Sequence, residues 1–224
     1  GQVDNKGIEA SLSLSQALGP VEWNSTLTYT INRNKIKKLL KPTTLKDGLL
    51  VEQDMLDLDG VGNVKTRLFE GGSVGDLYVT ALRTDEHGYI DVDYVNNTVS
   101  VDGNAGERGD GWIYAGNSQA KYTMGWRNSF SWKGLTLGFL INARVGGVCV
   151  SMTQALMDSY GTSKATADAR DAGGVMINGY LVPAAQKYYQ TVGTGAGSMY
   201  VYSATNIRLA ELSLGYDVPV TKLV

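Results

Sequence analysis

The sequence is short of the residues on which most soluble catalytic chemistry depends. Of its 224 residues one is cysteine, one is histidine and four are proline. The lone Cys149 excludes an internal disulfide and any cysteine-based zinc site. The lone His87 excludes an HExxH or multi-histidine metal site, and it sits in the turn-like string Thr84-Asp85-Glu86-His87-Gly88, away from any pattern a catalytic triad needs. No cofactor and no metal is therefore expected. Charge of one sign is lacking too: the formal net charge is −2, without the broad basic footprint of a nucleic-acid binder. Lys35, Lys37, Lys38 and Lys41 make a local basic run that reads as a solvated loop edge. No stretch approaches the roughly 18 consecutive apolar residues of a transmembrane helix. Gly1 opens no signal peptide, so any export signal is expected outside these residues.

What the chain has is glycine, tyrosine and alternation. In residues 21–34, apolar or small side chains take every odd position from Val21 to Ile31, while Glu22, Asn24, Thr26, Thr28, Thr30 and Asn32 take the even ones. A period of two is a strand with two unlike faces. The same pattern recurs in 7–18 (Ile8, Ala10, Leu12, Leu14 and Leu18 on one face), in 121–132 (Tyr122, Met124, Trp126, Phe130, Trp132) and in 135–145 (Leu135, Leu137, Phe139, Ile141, Ala143, Val145). It returns in 199–216, most clearly at Ala210, Leu212, Leu214 and Tyr216. The expected strands are thus about 5–18, 21–34, 120–132, 135–146 and 199–216.

These segments are long. Strands in soluble proteins usually hold about 5–6 residues. Eleven residues at about 3.4 Å each, tilted about 45°, rise roughly 25 Å, the height of a lipid-facing apolar band. The connections are unequal as well. Leu18-Gly19-Pro20-Val21 and Trp132-Lys133-Gly134-Leu135 leave almost nothing between strands, whereas 35–119 and 147–198 are long. Strand parity places both short turns on one side and both long loops on the other, the asymmetry of an outer-membrane barrel, with extracellular loops at about 35–119 and 147–198. The fold class expected is all-β: an antiparallel transmembrane β-barrel segment. Five strands cannot close a barrel without leaving backbone groups unpaired in hydrocarbon, so the chain is expected to be part of a longer polypeptide.

Trp23, Trp126, Phe130, Trp132 and Tyr216 fall on the outward phase, mostly near a short turn, where an aromatic membrane girdle is expected. Glu9, Arg127, Asn142 and Arg144 fall on the inward phase and are candidates to face a polar lumen. In the long loops Trp112, Tyr114, Tyr160, Tyr188 and Tyr189 are candidates to stack on a substrate, with Tyr180, Tyr200 and Tyr202 as further flat faces. Other motifs are weaker. Asp54, Asp57, Asp59 and Gly60 resemble a calcium loop faintly, with Met at 55 and no terminal glutamate. Asp85, Glu86, Asp91 and Asp93 offer carboxylate pairs without a flanking glycosidase signature. Residues 193–197 read as a flexible glycine loop, and 153–160 as a short helix.

The strings RNSFSWKGLTLGFLINARVGG (127–147) and TNIRLAELSLGYDVP (205–219) resemble the carboxy-terminal barrel region of the SusC/RagA family of TonB-dependent outer-membrane transporters. FEGGSVGDLYV (69–79), YAGNSQAKYTMGW (114–126) and GVCVSMTQALMDSYGTS (147–163) extend the likeness in order over nearly the whole chain. The resemblance implies one segment of a barrel of about 22 strands around a plug domain. It implies a SusD-like surface lipoprotein as a lid over the loops, and energy delivered by the TonB complex through an N-terminal part absent from these residues. It implies import of glycans or peptides across the outer membrane with no bond made or broken, so not an enzyme. The main rival reading is a secreted all-β carbohydrate-binding or adhesin module, whose odd positions in 21–31 would be sealed in a dry core. An extracellular glycosidase and a passive porin are the remaining alternatives.

Overall fold

A computed structural model describes residues 1–39, 43–44, 50–51, 54–58 and 60–218. Lys41, Asp59 and Pro219, named above, lie outside the described residues. The chain divides into two compact units: one of Asn5–Asn34, Gln119–Gly147 and Ala204–Val224, the other of Gly1–Asp4, Lys35–Ser118 and Val148–Ser203. Most regular structure is antiparallel sheet, as an all-β chain should show.

The first unit is one five-stranded sheet. Its strands are β1 (Gln2–Leu18), β2 (Val21–Lys38), β3 (Tyr122–Trp132), β4 (Leu135–Val145) and β5 (Asn206–Tyr216), side by side in chain order. The registers from β2 to β5 are antiparallel. Among the described residues the sheet is open, with β1 and β5 outermost and no ring closure. The β3–β4 turn has Lys133 at φ 47° and Gly134 at φ 83°. Two left-handed residues match the twist of the flanking strands in a two-residue hairpin, which is why Gly is useful there and Lys is tolerated only under constraint.

Two expectations about the last strand need correcting. The ladder begins at Asn206, not at 199: Gly197–Tyr200 is a 3-10 turn, and Val201–Ser203 pairs with Val148–Val150 in the other unit. Ala210 does not share the face of Leu212 and Leu214 through simple alternation. The register shifts so that Leu140 opposes Glu211 while Ile141 opposes Leu209, and Ala210 is the extra residue of a bulge. The sequence explains the need for it. Apolar residues run odd at Ile207 and Leu209 and then even at Leu212, Leu214 and Tyr216, and one inserted residue returns both sets to a single face.

The second unit is built from both long connections, which fold together instead of remaining structureless. A four-stranded sheet pairs Ile113–Asn117, Asp76–Val79, Val64–Phe69 and Met55–Asp57. Three helices follow: α1 (Met152–Ser159), α2 (Lys164–Asp171) and α3 (Ala185–Gly195). Ser151 and Ser163 cap α1 and α2 by accepting from the backbone N–H groups of Gln154 and Thr166. The core joins Leu82 and Val99 of the first connection to Ala155, Ile177, Val182, Tyr188, Val192, Ala196 and Tyr200 of the second. Tyr188 and Val192, with Ala196 beyond them, are spaced four apart and so share one stripe of α3. The glycines at 193–197, expected to form a flexible loop, lie instead at the packed end of α3 and the turn after it. A Cβ on Gly193 would come within 2.4 Å of the Ala155 carbonyl oxygen, and one on Gly197 within 2.3 Å of that of Asn63. They are small because other backbone passes close by.

Candidate functional site

Cross-strand registry sorts the sheet's side chains into rows. On one face Trp23, Phe130, Leu137 and Leu214 stand in line, then Ser25, Asn128, Phe139 and Leu212, then Leu27, Trp126, Ile141 and Leu209, then Tyr29, Met124, Ala143 and Ile207. This face is apolar and uncovered. Trp126 is 43% exposed, Leu137 41%, Leu212 68% and Leu214 73%. A contiguous apolar surface of this kind on a polar-backed sheet is a contact surface for something apolar. Trp23 stacks on Phe130 with ring centroids 6.1 Å apart, and Trp126 meets Phe139 edge-on at 5.8 Å. Trp132 and Tyr216 stand beside the Lys133–Gly134 turn, with the Lys133 ammonium 5.2 Å from the Trp132 ring centre. All five residues proposed for a girdle thus share one face, four of them toward the short-turn edge and Trp126 further up the strand.

One polar residue on that face was not foreseen. Asn128 is 1% exposed, and its Oδ1 accepts from Trp23 Nε1 at 3.0 Å. The signal was in the sequence, as the one strongly polar side chain on the apolar phase of β3. Trp126 Nε1 likewise donates to the Ser25 hydroxyl at 3.0 Å. The indole N–H groups of both tryptophans are therefore satisfied within the sheet, as an apolar surrounding requires.

The opposite face is mostly polar, with Leu140 as its large apolar residue between β3 and β5. Thr26, Arg127, Leu140 and Glu211 form one row, in which Arg127 Nη2 reaches over Leu140 to Glu211 Oε2 at 2.8 Å. Next come Thr28, Gly125, Asn142 and Arg208, then Thr30, Thr123, Arg144 and Asn206. Apart from Thr30, the residues of these last two rows line a shallow depression. Gly125 makes it, because a Cβ there would come within 2.8 Å of the Thr28 hydroxyl. Asn142 and Arg144, singled out above, meet there together with Arg208 and Asn206, which sequence reading missed. Glu9 lies on the solvent-exposed β1, whose Ser13 bonds to Thr26 at 3.0 Å and so shares this face by parity.

The loop aromatics separate into two places within the second unit. Tyr114 belongs to its four-stranded sheet, and Trp112 immediately precedes that strand. The Lys65 ammonium lies 4.0 Å from the Trp112 ring centre, and Tyr114 packs on Tyr78 at 5.5 Å. Beneath them Arg67, 3% exposed, holds Asp57 at 2.7 Å and Asp110 at 2.5 Å. Burial raises the Asp57 carboxyl, but hydrogen bonds from Arg67 and Lys65 outweigh it, and the net position is below the usual range. Asp110 is lowered by its bond to Arg67. Asp54 pairs with Arg108. Of the carboxylates weighed as calcium ligands, Asp54 and Asp57 are therefore occupied by cationic side chains. Asp85 and Asp93, weighed as hydrolytic acids, accept from backbone N–H groups two to four residues on and hold turns in place.

Tyr160 and Tyr189 line a cavity of about 280 Å³ between α1, α2 and α3. Tyr188 points the other way: at 7% exposure its ring is committed to the core, stacked edge-on against Tyr189 at 5.2 Å. Burial, with the nearby Asp158 charge next, raises the Tyr189 phenol. Burial and the hydrogen bond to Asp158 raise that of Tyr200 far more. Among the described residues no group of side chains suited to a metal ion occurs, and no helix is long and apolar enough to cross a membrane.

The chain is similar to two TonB-dependent receptors. TonB-dependent receptor P3 of Formosa agariphila is 26% identical over 239 residues, covering 98% of this chain and 22% of that receptor. TonB-dependent receptor P26 of the same organism is 26% identical over 253 residues, covering all of this chain and 23% of the receptor. No family model matches the sequence. The chain thus spans less than a quarter of the length of these relatives, both of which are named as receptors and not as enzymes.

Proposed function

We propose that this chain is a barrel segment of a TonB-dependent outer-membrane transporter of the SusC/RagA type, importing glycans or peptides. The observation that carries the reading is the five-stranded sheet with strands of 11 to 18 residues, one face apolar and uncovered, the other polar. A single sheet with those two faces fits between lipid and a water-filled lumen. Edges cannot remain open in hydrocarbon, so strands from elsewhere in the same barrel pair with β1 and β5. Similarity along nearly all of this chain to less than a quarter of two TonB-dependent receptors supports the same reading. In it Glu9, Arg127, Asn142 and Arg144 face the lumen, where they contact the plug domain or a passing solute. A SusD-like lipoprotein closes over the loop unit, and Trp112, Tyr114, Tyr160 and Tyr189 offer rings to the cargo. Transport is by binding and release, with TonB supplying the force. The uncovered Leu27 (38% exposed) and Leu137 speak against the secreted-module reading, which needs them sealed.

The test is fractionation and uptake. The intact protein is expected in the outer membrane, extracted only by detergent, with oligosaccharide or peptide uptake lost when TonB is deleted. Recovery as a water-soluble monomer, or uptake indifferent to TonB, would overturn the proposal.

A further inference from the structure

We propose that Lys6 and Arg33 bind the phosphate of a net-anionic lipid at the level where the apolar face of the sheet ends. Both belong to the sheet unit, Lys6 on β1 and Arg33 on β2, and both are exposed. Two contacts fix the register of these strands. The Ser13 and Thr26 hydroxyls lie 3.0 Å apart, and a Cβ on Gly7 would come within 2.8 Å of the Ile31 carbonyl oxygen and 3.6 Å of Asn32 Cα. In that register Ile8 opposes Ile31 and Lys6 opposes Arg33, on the phase that carries Leu27 and Tyr29. Like charges directly opposite each other destabilise a ladder. Among the described residues neither cation is paired with a carboxylate, and Asp4, two residues before Lys6, is held by Lys37 at 3.6 Å. An anion seated between Lys6 and Arg33 removes the repulsion.

Height indicates which anion fits. From Val21 to Ile31 the outward phase of β2 is apolar or small throughout. At about 3.4 Å per residue and a tilt of 40–45°, that stretch rises roughly 25 Å, the whole of a lipid-facing band. β1 repeats the pattern from Leu18 back to Ile8, with Gln16 as its polar exception. Arg33 and Lys6 are the next positions of that phase on each strand, so they stand where the headgroups begin. Just beneath them Tyr29 and Tyr122 pack with ring centroids 5.5 Å apart, and Tyr122 opposes Val145 on the same face. A tyrosine pair at this height is the second aromatic belt of a membrane boundary, facing the tryptophans near the short turns. Lysine and arginine lay their apolar stems along such a boundary and leave their charges at phosphate level. The guanidinium fork gives a phosphate two parallel donors, and the ammonium adds a point charge beside it. An acid on a soluble partner would have to enter the headgroup layer to reach the same place. The site rests on the lipid-facing reading of this sheet and adds to it the chemistry of the lipid.

The test places a bimane label at position 8 of the intact protein (Ile8→Cys with Cys149→Ser) in phosphatidylcholine vesicles containing phosphatidylglycerol. The acyl chains of one lipid or the other carry bromine, and quenching reports which lipid lies against the label. Phosphatidylglycerol should be enriched there roughly ten- to thirtyfold over its bulk share, from about fivefold per cation near the headgroups. Lys6→Gln or Arg33→Gln alone should leave about fivefold, and the two together close to none. Lys133→Gln, on the short-turn edge, should leave the enrichment unchanged, and high salt should weaken it. Equal quenching by the two lipids, enrichment that survives the double variant, or full displacement by inorganic phosphate at constant ionic strength would overturn the proposal. Equal quenching would remove this site and leave the lipid-facing sheet. A label that bromine on neither lipid can quench would overturn the lipid-facing reading as well.

Discussion

Leu212 offers a substitution whose cost depends almost wholly on what lies outside the sheet. It is 68% exposed and opposes Phe139 on the apolar face. If that face meets water, Leu212→Arg is an ordinary surface change, within about 0.5 kcal/mol. If it meets lipid, depth decides. Tyr216 opposes Leu135 at the level of the short turn, and Leu212 lies four residues before it on β5, away from that turn. Four residues span about 14 Å, or roughly 10 Å of depth at a tilt of 40–45°, close to the middle of an apolar band about 25 Å tall. Arginine near the midplane of a barrel costs about 2–4 kcal/mol. The unfolding equilibrium should therefore shift roughly thirty- to several-hundred-fold. Denaturant titration of the intact protein in phospholipid vesicles, followed by tryptophan fluorescence, reads this directly. Ser213→Arg, one residue on and facing the polar side, is the control and should be near neutral. Near-neutral behaviour of Leu212→Arg would refute the assignment of this face to lipid.

Two further perturbations address the loop unit and the turn. Asp57 and Asp110 have carboxyls depressed in the folded state, so their stabilising contribution is full above the unfolded aspartate value near 4 and is lost as pH falls through the lower folded values. Acid titration should loosen this unit below about pH 4. Arg67→Met should weaken it at neutral pH by about 3 kcal/mol, the lower end for a broken buried pair because both carboxylates are about one-third exposed, and should flatten the acid response. An unchanged acid midpoint in Arg67→Met would contradict that account. Gly134→Val places a β-branched residue at φ 83° and should cost roughly 1–2 kcal/mol in the same vesicle titration, whereas Lys133→Gly should be neutral or stabilising. A neutral Gly134→Val would mean that the turn does not hold the hairpin in register.

The sheet was legible in the sequence because period-two alternation is a local property, and the two faces could be assigned residue by residue from Val21 to Ile31 and from Leu135 to Val145. The bulge at Ala210 was not, although its cause was visible: the apolar phase changes between Leu209 and Leu212, and only a partner strand shows that one residue is set aside to absorb the change. Asn128 was passed over because a polar residue on an apolar phase reads as noise until Trp23 is seen to donate to it. In the long connections, tyrosines look alike in sequence, and only tertiary contact separates the core Tyr188 from Tyr189 one residue on.

The central claim is that one face of this sheet meets acyl chains and the other meets water. With Cys149 replaced by serine, spin labels placed singly from 135 to 145 in the vesicle-embedded intact protein measure it by the accessibility of each site to oxygen, which collects in lipid, and to a polar nickel chelate. The account predicts two curves of period two and opposite phase, with oxygen highest at the positions of Leu137, Phe139 and Ile141 and the chelate highest at Gly138, Leu140 and Asn142. Chelate access at all positions, or odd positions closed to both reagents, would contradict it.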